Sequence, residues 1–228
     1  MKPTKPMRTL LCAVLFSALG ACASSPPIHY FSLDDERPTA VGSPVGVRIA
    51  VTQVNLPDLI DRPQLVVRSV GHQLRLDDQY EWAEPLRRQI PRVIARDLGE
   101  ALDSGRVVAL SIDAQDFDPD FKVMLDIQRL EFVAGQGVDL DVVWRVESRD
   151  HQTYLGRILV REPVEATTEP NDYQAAVTAQ RRALRSAAAN IASGIANWVS
   201  DKASDGFSVD RGTASADTRG GKERRHDI

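Results

Sequence analysis

The sequence predicts an α+β fold, a single domain in which two long helices pack on a mostly antiparallel sheet. Two observations predict it. Short runs with an apolar residue at every second position, the period of a half-buried strand, lie on both sides of a segment whose apolar residues recur at steps of four. A second helical segment closes the folded part, so the order reads strands, helix, strands, helix.

"IHYFSL" (28–33) is short and β-rich. In "VGVRIAVTQV" (45–54) Val45, Val47, Ile49 and Val51 alternate with smaller or polar residues. "DLIDRP" (58–63) reads as a loop bracketed by Pro57 and Pro63. "QLVVRSV" and "HQLRL" flank Gly71 and read as a hairpin.

The first helix is expected from about Glu84 to Asp103, with Pro85 at its first position, where the missing N–H costs nothing. Trp82, Leu86, Ile90, Ile94, Leu98 and Leu102 form its apolar stripe, and Ser104-Gly105 stops it. Pro91 removes a backbone bond, so either the helix kinks there or it starts later.

"RVVALSI" (106–112) is a further strand. "FKVMLDIQRLEFV" (121–133) alternates through Phe121, Val123, Leu125 and Ile127 and then changes phase at Leu130 and Phe132. A one-residue slip reverses every later side chain, so a bulge is expected near Gln128. "AGQG" turns the chain into 138–148, where Val138, Leu140, Val142, Trp144 and Val146 share one face and Asp139, Asp141, Arg145 and Glu147 lie in the other phase. That is a sheet with one dry and one wet side. Residues 154–166 add a strand, and 171–200 form the second helix, capped by Asn171 or Asp172. Its apolar face runs through Tyr173, Val177, Leu184, Ala188, Ile191, Ile195 and Trp198.

The amino end has a different character. Residues 1–8 carry Lys2, Lys5 and Arg8 and no acid, and "TLLCAVLFSAL" follows without a charge. This is the pattern of a secretory signal peptide, and it is shorter than the roughly 20 residues of a membrane span. Leu19-Gly20-Ala21-Cys22 resembles the bacterial lipobox, in which the thiol receives diacylglycerol and the chain is cut just ahead of it. The resemblance implies lipidation at Cys22, and Ala23 in the next position implies sorting to the outer membrane. Cleavage would remove Cys12 and leave Cys22 as the one cysteine, with no disulfide to form. The expected divisions are a signal peptide (1–21), a lipidated tether (22–27), a folded domain (28–200) and a disordered tail (201–228) rich in Gly, Ser, Asp and Arg.

Cleavage also moves the formal charge from −4 to −7, because three basic residues leave and no acid does. An acidic chain without a basic stripe argues against a nucleic-acid partner. The tether "ASSPP" reaches at most about 16–18 Å, which keeps the domain close to the bilayer.

"VNLPDLIDRPQLVVRS" followed by "YEWAEPLRRQIPRVIARDLGEAL" resembles the PqiC (YmbA) family of ABC-type transport auxiliary lipoproteins. The matching positions are Val54, Leu56 and Pro57, then Asp61, Arg62, Pro63 and Gln64, then Trp82 to Leu86. Leu59-Ile60 departs slightly from the family's Tyr-Leu. The resemblance implies a non-catalytic docking role at the outer membrane, without a cofactor. It implies partnership with an MCE-domain protein that spans the periplasm and with inner-membrane components that move lipids or other hydrophobic compounds. The lipoprotein is implied to be a homo-oligomer.

The loop from Leu56 and Pro57 through Asp61, Arg62 and Pro63 is the candidate partner or subunit surface. Asp61 and Arg62 either pair with a neighbouring subunit or cap the loop internally. Trp82 and Pro85 read as packing at the helix start. Enzyme signatures are weak: His29, His72, His151 and His226 are scattered, and no Gly-x-Ser-x-Gly elbow occurs. "GQG" (135–137) sits in a hairpin rather than between a strand and a helix. Asp113, Asp116, Asp118 and Asp120 approach a cation site but lack the pattern of a calcium loop. A lipid carrier with an acyl-sized cavity is the alternative to a docking scaffold, and a hydrolase with an unfamiliar site is the third class.

Overall fold

The structure is a computed structural model, and it describes residues 26–34, 47–69, 72–109, 117–164 and 172–209, the last eight as backbone only. Cys22, the signal peptide, most of the tether, Gly71, Asp113, Asp116, Asn171 and the tail beyond Val209 lie outside the described residues.

Eight strands form one sheet: β1 (His29–Phe31), β2 (Ile49–Asn55), β3 (Gln64–Arg68), β4 (Leu74–Trp82), β5 (Val107–Ala109), β6 (Phe121–Val133), β7 (Gly137–Ser148) and β8 (Thr153–Glu162). Two helices, α1 (Leu86–Ala101) and α2 (Tyr173–Val209), complete the α+β domain. The long ladders β6–β7 and β7–β8 are antiparallel, as is the β3–β4 hairpin. The short pairings of β1 with β4, β2 with β5, and β2 and β3 with β6 are parallel.

β6 is the axis of the sheet. One edge takes β7 along its whole length. The other is shared: β2 runs beside Phe121–Asp126, and β3 runs beside Phe132 and Val133 in the same direction. Residues 56–63 are thus an excursion between two strands on one edge. The ladder to β7 shifts between Ile127 and Arg129, which places the bulge at Gln128 and returns Leu130 and Phe132 to the buried face.

α1 packs over β2 and β5, and α2 packs over β6, β7 and β8. Val138, Leu140, Val142, Trp144 and Val146 are buried under α2, whose small residues Ala179, Ala183, Ala187 and Ala188 are buried too. Trp144 shows how tight the fit is. A Cβ on Gly156 of β8 would stand 2.2 Å from its ring and one on Gly194 of α2 2.5 Å, so both positions need glycine. The indole N–H donates to Asn190 Oδ1 at 3.1 Å.

Several boundaries differ from the sequence reading. Trp82 ends β4 and does not belong to the helix stripe; α1 starts at Leu86, so Pro85 stands at the N-cap position rather than the first helical one, with no side-chain cap. That start is two residues later than expected, and Pro91 still lies inside the helix. In β2 the strict alternation fails, since Ile49, Ala50 and Val51 are all buried and the register against β6 shifts between Val51 and Gln53. α2 continues to Val209, nine residues past the boundary expected at Ser200. Asp172 caps it, with Oδ1 accepting from Ala175 N–H at 2.9 Å.

Candidate functional site

The loop 56–63 is held at both ends. Leu56 and Leu59 pack against the core and Ile60 is buried. The amides of Ile60 and Asp61 both donate to the Pro57 carbonyl, at 3.0 and 3.1 Å, closing a tight turn. The Arg62 guanidinium donates to the Asp58 carbonyl at 3.3 Å. At the far end the Pro63 carbonyl accepts from Trp82 N–H at 2.7 Å, which fixes the loop to the end of β4.

The approach to α1 is fixed as firmly. Ala83 N–H donates to the Phe31 carbonyl at 2.8 Å. Gln89 is fully buried; its Oε1 accepts from Leu33 N–H (2.8 Å) and Ser32 Oγ (3.2 Å), while its Nε2 donates to the Glu84 carbonyl. Three α1 arginines each take a carboxylate from a different segment. Arg87 pairs with Asp61 of the loop, Arg92 with Glu84, and Arg96 with Asp34 at 2.6 Å. The Arg92 hydrogen bond holds Glu84 below the usual carboxylate range against the opposing effect of burial. Deeper in, Arg181 of α2 forks onto Asp97 of α1 with two contacts of 2.5 Å, both residues buried.

These parts enclose a cleft of about 460 Å³ lined by Asp61, Arg62, Pro63, Trp82, Ala83, Glu84, Pro85, Arg87 and Arg88. Pro63, Trp82, Ala83 and Pro85 supply an apolar floor. Asp61 and Glu84 are occupied by Arg87 and Arg92, which leaves Arg62 and Arg88 as the cations without a carboxylate partner in the wall. Arg62 Nε is buried and has no hydrogen-bond partner. The arrangement suits recognition of an anionic group carried on an apolar segment; it presents no nucleophile paired with a base.

Of the five loop residues singled out from sequence, Asp61, Arg62 and Pro63 line the cleft, while Leu56 and Pro57 are half-buried at the back of the loop. Within the chain Asp61 pairs with Arg87 of α1, and Arg62 donates to the Asp58 carbonyl. Trp82 and Pro85, read as helix-start packing, also form cleft wall. Arg87, Arg88 and Gln89 were missed, although "EPLRRQ" places them directly behind the motif.

The remaining sequence candidates lie elsewhere. Asp118 and Asp120 are taken up by arginines, with Arg149 at 2.7 Å from Asp118 and Arg48 at 2.9 Å from Asp120. Among the described residues no group of three or more His, Cys, Asp or Glu side chains is disposed to hold a metal ion. "GQG" forms the β6–β7 turn, where Gly135 and Gly137 have φ of +72° and +127°.

The sequence profile described as the ABC-type transport auxiliary lipoprotein component matches residues 31–192, from the last residue of β1 into α2. This chain belongs to that family. The auxiliary lipoprotein is similar in structure to a protein described as uncharacterized, with TM-score 0.59 and 16% identity over 75% of this chain and 99% of the other. It is also similar to a Xanthomonas campestris protein described as DUF330, with TM-score 0.54 and 20% identity over 79% and 97% of the two chains. At these identities the likeness is one of fold. No curated protein matches the chain at a significant level. Every cleft residue of the auxiliary lipoprotein falls inside the matched span.

Proposed function

We propose that this auxiliary lipoprotein is a non-catalytic docking component of an MCE-type, Pqi-like ABC transport system that moves lipids or other hydrophobic compounds between the inner and outer membranes. Diacylglycerol on Cys22 holds it to the periplasmic face of the outer membrane, and it works as a homo-oligomer. An MCE-domain protein spanning the periplasm comes to it, linked to the inner-membrane components.

The observation that carries this reading is the convergence of residues 61–63 and 82–85, from two motif segments, on one cleft within the family's span. Prolines and backbone bonds fix the loop, so a partner segment loses little affinity to ordering of the site. The carrier alternative requires an acyl-sized cavity between sheet and helices. That space is filled among the described residues by fully buried Ile49, Ile90, Ile94, Leu98, Leu130, Leu184 and Ile191.

The test is a pull-down from detergent-solubilised envelopes with the natural chain as bait. Recovery of an MCE-type protein is expected, and Arg62→Glu with Arg88→Glu should cut recovery by about tenfold or more if the cleft is the central contact. Repeated failure to recover such a protein from the envelopes of an organism that encodes one overturns the reading.

A further inference from the structure

Four of the eight large apolar side chains exposed among the described residues lie on β1 and β4 or next to them: Ile28 (45%), just ahead of β1, Tyr30 (62%), Leu74 (37%) and Leu76 (42%). The register shift of the β3–β4 hairpin puts them on one side: Gln64 faces Glu81 but Val66 faces Leu76, so β4 changes phase in between, and Leu74 and Leu76 share the side of Glu81 and its β1 neighbour Tyr30, away from the helices. His29 and Phe31 lie against Tyr80, which stacks on Tyr173 of α2 with ring centroids 4.0 Å apart, so Ile28 and Tyr30 point the other way. Arg75 reaches the Tyr173 hydroxyl at 3.4 Å, so Leu74 and Leu76 on either side of it point away as well.

β1 is parallel to β4, with His29 opposite Tyr80 and Phe31 opposite Trp82, so residues 26–28, the described residues ahead of β1, lie towards the Leu76 and Leu74 end of β4. Ile28 follows Cys22 by six residues, a reach of at most about 20–22 Å.

We propose that the outer face of β1 and β4 lies on the phospholipid surface, with Tyr30, Leu74 and Leu76 at headgroup level. The helix side is thereby turned to the periplasm. The proposal rests on the lipid anchor of the proposed function and adds an orientation to it. Tyrosine, apolar in its body and polar at its tip, suits that depth. Four partly exposed side chains offer on the order of a few hundred Å², short of the roughly 800 Å² per partner of a stable protein interface. A membrane already within reach of the tether needs no such area, because the acyl chains supply the affinity and the second contact is intramolecular.

The experiment uses the full-length acylated protein in vesicles of phosphatidylethanolamine and phosphatidylglycerol. An environment-sensitive fluorophore is placed through Leu74→Cys and, as a control on β8, through Leu155→Cys, which is 65% exposed. Acylation is checked by the mass of the terminal peptide and by co-sedimentation with the vesicles. With lipids quenched near the headgroups, the probe at position 74 should shift to the blue and lose most of its emission, while that at 155 keeps it. An acylated, vesicle-bound protein whose two probes are equally unquenched overturns this proposal and leaves the anchor standing. Energy transfer between copies labelled at 74, without lipid quenching, overturns it in favour of a second copy. An unacylated terminus in the supernatant overturns the anchor and this proposal together.

Discussion

From β6 to β8 the sheet is paired along nearly the whole length of its strands, with one register shift at Gln128, whereas from β1 to β3 the pairings are short and the β3–β4 hairpin slips between Gln64 and Val66. The outer face of the regular wing is laced by forked ion pairs, Arg157 on Asp141 and Arg161 on Asp139, at 2.6–2.8 Å. Both outer faces carry exposed apolar residues, Leu155 and Leu159 alternating with the arginines of β8 and Tyr30, Leu74 and Leu76 on the irregular wing, but the cleft opens on the irregular wing, where β4 gives way to α1. The contrast separates two tasks. Long ladders and a filled interior hold the domain together; interrupted pairing frees loop and strand ends for recognition.

If that division is right, removing core from the regular wing should cost most. Trp144→Ala empties a slot shaped by two glycines and leaves Asn190 without its donor, so a loss of about 3–5 kcal/mol is expected in denaturant unfolding. Tyr30→Ala on the other wing should change stability by about 0.5 kcal/mol or less. Equal losses would break the comparison.

A similar loss is expected at the link between the two helices. Arg181→Met leaves Asp97 charged, buried and without its forked partner, for about 3–5 kcal/mol. Adding Asp97→Leu should restore most of it, which thermal unfolding of the single and double variants will show.

The surface ladder is a smaller effect. Arg157→Ala and Arg161→Ala should each cost less than about 1 kcal/mol, because these arginines are more than half exposed. They should nevertheless change the response to acid. Hydrogen bonds from the two arginines hold Asp141 and Asp139 below the usual carboxylate range, against the opposing effect of burial. A carboxylate depressed in the folded state contributes stability that is fully present above its unfolded pKa of about 3.9 and is lost as pH falls through the folded value. Stability measured from pH 5 downwards should therefore fall less steeply in the double variant than in the natural chain. An unchanged acid limb would show that the ladder contributes nothing to the difference between the wings.

The regular wing was also the legible one. Alternation through 121–133 announced both the strand and its bulge, because one buried face forces a phase change wherever a residue is added. In the irregular wing the same logic misled at Trp82, whose spacing of four from Leu86 suited a helix stripe although the residue ends a strand. Nor did the pattern of β2 reveal that Ala50 is buried beside Ile49 and Val51. Asp61 and Arg62 could be picked out as motif residues, yet their partners, Arg87 and the Asp58 carbonyl, became known only with the loop folded back.

The sequence by itself determined the α+β class, both helices and the bulge, since these follow from periodicity, capping and residue type along a local stretch of chain, and the motif residues came from the family resemblance. Only the tertiary structure decided that β2 and β3 share one edge of β6, that Trp82 and Pro85 become cleft wall, and that Arg62 and Arg88 stay without a carboxylate partner there. Those outcomes depend on which distant groups meet. Pairing across long separations is set by the packing of the whole sheet against two helices, and no local pattern encodes it.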